Sequence, residues 1–74
     1  MNYKERITID PNIMLGKPVI KGTRVTVELI LKKLSEGMST EELLEAYPHL
    51  KREDILSALS YSADVISREE LIAT

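Results

Sequence analysis

The 74-residue chain has no cysteine, tryptophan or phenylalanine, and it has a single histidine. Without cysteine, neither disulfide bonds nor thiolate metal sites can stabilise so small a domain. One histidine does not build a zinc site unless several carboxylates converge on it, so we expect no metal and no cofactor. Domains of this length bury only about 60% of their unfolded surface, and self-association is the remaining source of stability. We therefore expect a homodimer.

Long apolar runs and an excess of positive charge are also absent. No segment approaches the roughly 18 consecutive apolar residues of a membrane span, and the first residues lead into no signal-peptide pattern. These observations predict a cytoplasmic protein without a membrane segment. Ten basic and twelve acidic side chains give a net charge of −2, which argues against a strongly basic DNA-binding face. Any affinity for nucleic acid must come from a local patch, a dimer or a bound partner.

The most constrained segment is 16–25, which contains two glycines and a proline. Glycine permits positive φ, and proline fixes φ and cannot continue a sheet ladder. The segment also holds a short strand-like pair, and the alternation over 6–10 predicts another strand. Strands this short do not form a stable sheet alone. Their apolar residues are therefore predicted to pair across a dimer or to brace the helices: Ile7, Ile9, Val19 and Ile20.

Two helices follow with clear boundaries. The first is predicted from Val27 to about Glu36, with Thr26 as its N-cap and Gly37 just beyond its end. The second is predicted over 40–46, because Ser39 and Glu42 have the spacing of a capping box and Pro48 ends the helix.

A third helix is predicted from near Lys51. Its buried side is predicted to comprise five apolar residues: Ile55, Leu56, Leu59, Ala63 and Ile66. A second capping-box pattern begins at Ser67, where we expect the helix to break before a short tail helix over 68–73. The whole pattern predicts one mainly α domain, 1–74, with a core over about 7–66 and a tail over 67–74. Its architecture is a three-helix, homeodomain-like helix-turn-helix with short N-terminal β-strands or a hairpin.

In a helix-turn-helix the start of the last helix enters the major groove. Candidate DNA-facing residues are therefore Lys51, Arg52 and Ser57, together with the basic cluster Lys17, Lys21 and Arg24. A plain three-helix bundle has the same periodicity, and the adjacent carboxylates Glu53 and Asp54 would repel phosphate. The cluster could equally contact an acidic partner or form a solvated loop edge. Arg24 is further predicted to bind a carboxylate and lock the hairpin to a helix.

No combination of residues suggests catalysis. His49 is interpreted as a turn residue, and the acidic pairs Glu41-Glu42 and Glu69-Glu70 are explained by helix capping. The glycine spacing does not match a phosphate-binding loop. We therefore expect a protein that is not an enzyme.

Three segments carry a resemblance to a known family: Gly16 to Val25, Gly37 to Leu44, and Tyr47 through Leu59. With them, the chain resembles the prokaryotic family called domain of unknown function 433 from about Ile7 to Val65. Two departures stand out. The family often has a second glycine next to Gly16, where this chain has Met14-Leu15, and it commonly has Ser or Thr at the position of Lys51.

The resemblance implies a helix-turn-helix domain similar to VapB-like antitoxins, whose partner is a PIN-like ribonuclease toxin. It also implies possible binding of operator DNA for autoregulation. On this hypothesis the tail, with Leu71 and Ile72, docks the toxin. The alternative is a protein-interaction adaptor whose helix-turn-helix does not bind DNA, which the acidic charge balance favours.

Overall fold

A computed structural model of the chain describes residues 3–73, and for residues 69–73 it describes the backbone alone. Two strands precede three helices: β1 (Ile7–Thr8), β2 (Val19–Ile20), α1 (Val27–Ser35), α2 (Thr40–Ala46) and α3 (Arg52–Ala73). A single turn of 3-10 helix lies at Tyr3–Glu5, and Met14–Gly16 form a turn with left-handed backbone conformation. The mainly α fold with short N-terminal strands is as predicted.

The strands form a small antiparallel sheet that braces the helices. Ile7 lies opposite Ile20, and Thr8 lies opposite Val19. The other edge of β2 bridges to Thr26. Val19 and Ile20 are 1% and 2% exposed, so their side chains are not available to pair across a dimer. Of the two roles predicted for them, they take the bracing one.

The remaining two residues of that predicted set lie nearer the surface. Ile7 is half-buried against the core, whereas Ile9 follows β1 and is 60% exposed. The isoleucines of β1 and its extension therefore do not form one continuous apolar face. Of these two isoleucines, only Ile7 packs against the core and helps to brace the helices.

The first two helices begin and end as their caps predict. The Thr26 side chain accepts a hydrogen bond from the Leu29 amide, and Gly37 lies just after the α1 C-cap with φ of +97°. Both halves of the capping box of α2 are formed between Ser39 and Glu42, at 3.1 and 3.0 Å. These boundaries are set by local hydrogen bonds, which is why the sequence pattern identified them.

Helix α3 differs from the prediction in two respects. It continues without a break to Ala73, because Ser67 is not accompanied by a glycine or proline that would interrupt the hydrogen-bond ladder. The predicted buried side is wrong for four of its five residues: only Ile55 is buried, while Leu56, Leu59, Ala63 and Ile66 are exposed. Ala58, which the pattern missed, is fully buried.

The core lies between β2 and the three helices. Its buried members are Ile20, Val27, Ile30, Leu43, Leu50, Ile55 and Ala58. Leu50 belongs to the turn between α2 and α3, so this turn is fixed by packing as well as by sequence. The helix before the turn and the helix after it are thereby held in one arrangement.

The start of α3 is tied to the N-terminal segment through Asp54. One carboxylate oxygen accepts a hydrogen bond from the Lys51 amide at 3.0 Å, and the other accepts one from the Arg6 guanidinium at 3.0 Å. Further along α3, Tyr3 donates a hydrogen bond to Asp64 and packs edge-on against Tyr61. Asp54 supplies the cap that the side chain of Lys51 lacks.

Candidate binding groove

A groove of about 810 Å³ separates the turn after β2 from the turn between α2 and α3. Lys21, Gly22, Thr23 and Arg24 line one side of the groove, and residues 46–50 line the other. Ile13 and Val25, both half-buried, contribute apolar surface to the groove. The groove thus brings together two motifs that lie more than twenty residues apart in the sequence.

Local hydrogen bonds fix the first turn. Gly22 has a φ of +81°, a conformation that L side chains rarely adopt. The Thr23 hydroxyl donates to the Ile20 carbonyl at 2.8 Å and accepts from the Val25 amide at 3.0 Å. Arg24 is therefore presented from a turn whose backbone is held on both sides.

The second turn is fixed by its helix end and by burial. Tyr47 caps the C-terminus of α2, and the Leu50 amide donates to the Tyr47 carbonyl at 2.9 Å. Pro48 and His49 are exposed between Tyr47 and the buried Leu50. The exposed His49 imidazole is consequently carried on a fixed backbone at the rim of the groove.

The described lining of the groove is basic. Lys21 and Arg24 are exposed, and neither makes an ion pair with a side chain that the structure describes. No aspartate or glutamate is among the described lining residues. The predicted lock between Arg24 and a carboxylate is thus wrong for the described residues. Apolar lining residues, beside cations that make no ion pair with a described side chain, suit an anionic group attached to an apolar one.

The other residues predicted to face DNA do not line the groove with Lys21 and Arg24. Lys17 binds Glu28 at 2.9 Å and Arg52 binds Glu41 at 3.0 Å. The hydrogen bond from Lys17 lowers the pKa of Glu28, and the hydrogen bond from Arg52 lowers the pKa of Glu41. Each of these two cations therefore already faces a carboxylate.

The two remaining members of the set have opposite environments. Ser57 is fully buried on α3, so the prediction that it faces DNA is wrong, because its position on the helix faces the core. Lys51 is exposed immediately before α3 and makes no ion pair with a described side chain.

Tyr47 and His49 are groove residues that the sequence analysis did not identify as part of a site. The Tyr47-Pro48-His49-Leu50 segment was recognised as a family motif, but His49 was interpreted as a turn residue. It is a turn residue, and it also faces the loop that carries Arg24. The signal that could have identified His49 is the combination of its motif with the motif that contains Arg24. The two motifs are separated in the sequence, and only folding brings them together.

A second surface of note is the outer face of α3, formed by Leu56, Leu59, Ala63 and Ile66. Their exposed fractions include 47% for Leu56, 43% for Leu59 and 54% for Ile66. The predicted toxin-docking residues lie farther along the same helix, and the side chains of Leu71 and Ile72 fall outside the described residues.

Among the described residues, no group of three or more histidine, cysteine, aspartate or glutamate side chains is placed to hold a metal ion. Within the same range, no helix combines the length and the apolar character needed to cross a membrane.

These features define a small three-helix domain with an N-terminal strand brace and a basic groove. The family model described as a protein of unknown function, DUF433, matches residues 7–62. The chain belongs to the DUF433 family.

Relatives extend the likeness beyond the family model. An uncharacterised protein of Sinorhizobium fredii is 41% identical over 59 residues, covering 80% of this chain and 27% of the relative. The chain thus spans about a quarter of that relative's length. An uncharacterised protein of Archaeoglobus fulgidus is 58% identical over 24 residues, covering 32% of this chain and 67% of the relative.

A solved structure shares the fold. The crystal structure of a DUF433 member from Anabaena variabilis has a TM-score of 0.80 and 29% identity to this chain. The similarity covers 99% of this chain and 77% of that one. The three-helix arrangement is therefore shared by a family member of clearly different sequence.

Proposed function

We propose that this protein is a protein-binding domain whose basic groove holds an acidic segment of its partner. The observation that supports the proposal is the convergence of two family motifs on a groove whose cations make no ion pair with a described side chain. Lys21 and Arg24 stand at its rim, and its described lining contains no carboxylate. Following the family resemblance, the partner is a PIN-like ribonuclease toxin, and the protein acts as its antitoxin.

A protein partner fits this groove better than DNA does. A DNA phosphate backbone is bound by a row of cations, and counterions are released from the DNA. Of the six residues predicted to contact DNA, Lys17 and Arg52 are already paired with carboxylates, and Ser57 is buried. The groove also has apolar surface from Ile13 and Val25 beside its cations. That mixture suits a peptide with alternating acidic and apolar side chains.

The test is co-expression with a PIN-like ribonuclease toxin, the partner class that this proposal names. The wild-type chain is expected to co-purify with the ribonuclease and to restore cell growth. Replacing Lys21 and Arg24 with alanine removes two charge-assisted contacts, each worth about 1.5–3 kcal/mol. The affinity should therefore fall about 100-fold or more, as measured by calorimetry.

The matched control is K32A/K33A, which removes the same charge from α1, outside the groove lining. This variant should bind the ribonuclease as the wild type does. Equal losses in the two double variants would mean that net charge, and not the groove, governs binding. Failure of the wild-type chain to bind or to protect cells would refute the antitoxin role.

Binding of operator DNA is the second candidate function. It is favoured by three of the candidate DNA-facing residues, which are exposed and make no ion pair with a described side chain. These are Lys21, Arg24 and Lys51. A fluorescence-anisotropy titration with the protein's own promoter, from low to high salt, separates the candidates. DNA contact by these residues predicts a log–log salt slope that falls by about one for each cation removed. If the protein does not bind the promoter at low salt, with or without its partner, the helix-turn-helix does not bind DNA and the protein is an adaptor that binds only proteins.

A further inference from the structure

We infer that the outer face of α3 is a homodimer interface in which two α3 helices pack antiparallel. Its four residues, Leu56, Leu59, Ala63 and Ile66, follow one another at intervals of three, four and three. This is the a/d spacing of a heptad seam, which forms a narrow stripe along one helix face. The stripe spans about 15 Å of helix, at a rise of 1.5 Å per residue.

The stripe does not contribute to the buried core of the chain. The core side of α3 is supplied by Ile55, Ser57 and Ala58, which are 2% exposed or less. The three large aliphatic side chains of the stripe remain 43–54% exposed. Scattered exposed leucines are ordinary on protein surfaces, but an aligned row of them marks an interaction surface.

The order of large and small side chains selects an antiparallel second copy. A two-fold axis at the level of residue 61 places Leu59 opposite Ala63 of the second copy, and Leu56 opposite Ile66. Each small position then receives a large side chain, as close packing requires. A parallel pair would instead place Ala63 against Ala63 and leave a gap. Isologous contacts of this kind close after two chains.

The neighbourhood of Ile66 offers a place for the second copy's Leu56. Ile66 lines an apolar cleft of about 320 Å³ between α1 and α3, together with Val27, Leu31 and Val65. In the antiparallel arrangement Leu56 lies at the mouth of this cleft. The buried apolar area thus extends from the helix seam to α1, which suits a domain of only 74 residues.

Charge does not oppose the arrangement. Ser60 and Ser67 border the stripe, and the nearby Asp64 carboxylate is paired with Arg68 at 2.9 Å. Arg52 at the start of one α3 lies opposite the last turn of the other α3. Cations are favourable at the negative end of a helix dipole.

The first test is sedimentation of the full chain over a range of concentrations. The wild type is expected at twice the chain mass. L59E places a carboxylate in the seam twice per dimer, and it should raise the dissociation constant about 100-fold or more. The matched control is L15E, because Leu15 is 94% exposed and lies outside α3. Circular dichroism checks that both variants are folded.

Engineered cysteines then test the direction, since the chain has no cysteine of its own. A mixture of L59C and A63C chains should form a disulfide between the two, whereas A63C alone should not cross-link. Cross-linking of A63C alone would indicate a parallel pair and overturn the arrangement. A monomer at all concentrations, or a dimer that L59E does not weaken, would overturn the interface itself. Because Lys21 and Arg24 lie elsewhere, K21A/R24A should leave the dimer intact even if the proposed function fails.

Discussion

Backbone strain at single residues is concentrated in the loop between the strands. Met14 and Leu15 have φ of 49° and 58°, and Gly16 follows with φ of 83°. The left-handed region costs an L residue about 1–2 kcal/mol relative to its preferred conformation. The family often has glycine next to Gly16, and this chain has a leucine there. The side chain of Leu15 is 94% exposed, so it contributes little packing in return.

Replacing Leu15 with glycine is therefore expected to stabilise the protein. Relief of the left-handed strain exceeds the extra entropy that glycine gives the unfolded chain, and the net gain should be about 0.5–1 kcal/mol. Urea denaturation measures it. The control is L15A, which removes the side chain but keeps the Cβ atom and should change stability little. If L15A gains as much as L15G, the exposed side chain and not the backbone is responsible.

At the scale of elements, the start of α3 depends on a residue from another part of the chain. Asp54 accepts the Lys51 amide at 3.0 Å and binds Arg6 at 3.0 Å, while only 6% of Asp54 is exposed. The same carboxylate thus caps α3 and ties it to the residue before β1. The spacing of residues 51 and 54 in the sequence indicates the helix cap, but no sequence pattern indicates that Arg6 binds Asp54.

Removal of the Asp54 carboxylate should test both contacts. D54A loses the cap and leaves the half-buried Arg6 without its partner, so the free energy of unfolding should fall by about 2–3 kcal/mol. D54N retains an oxygen for the Lys51 amide and should lose roughly half as much. A double-mutant cycle with R6A, measured by urea denaturation, isolates the ion pair. Equal losses for D54A and D54N would show that the cap contributes nothing.

At the scale of the whole molecule, the short chain and the exposed outer face of α3 have one consequence for stability. If folding is coupled to dimerisation, the midpoint of thermal unfolding depends on protein concentration. For a domain of this size, a tenfold increase in concentration should raise the midpoint by about 3–6 °C. Differential scanning calorimetry measures this shift. L59E should abolish it, and a wild-type midpoint that does not move with concentration would contradict the coupling.

The local features of the fold were predictable from the sequence because they are made by neighbouring residues. The Thr26 cap, the Ser39–Glu42 capping box and the left-handed Gly37 each depend on contacts within a few positions. The family was also recognisable from its motifs, and the match over residues 7–62 confirms it. The order of the elements and the boundaries of α1 and α2 therefore follow from local chemistry.

Which face of each element is buried was decided by the tertiary structure. Periodicity alone gave α3 an apolar side that included Leu56 and Leu59, but packing turned Ile55, Ser57 and Ala58 inward. The groove likewise depends on folding, which places Arg24 and His49 in the lining of the same groove. An apolar pattern indicates which side chains are stabilised by burial, but it does not indicate which part of the fold, or which other molecule, will bury them. The sequence determined the elements and the ends of α1 and α2, whereas long-range packing determined the groove and the exposed face of α3.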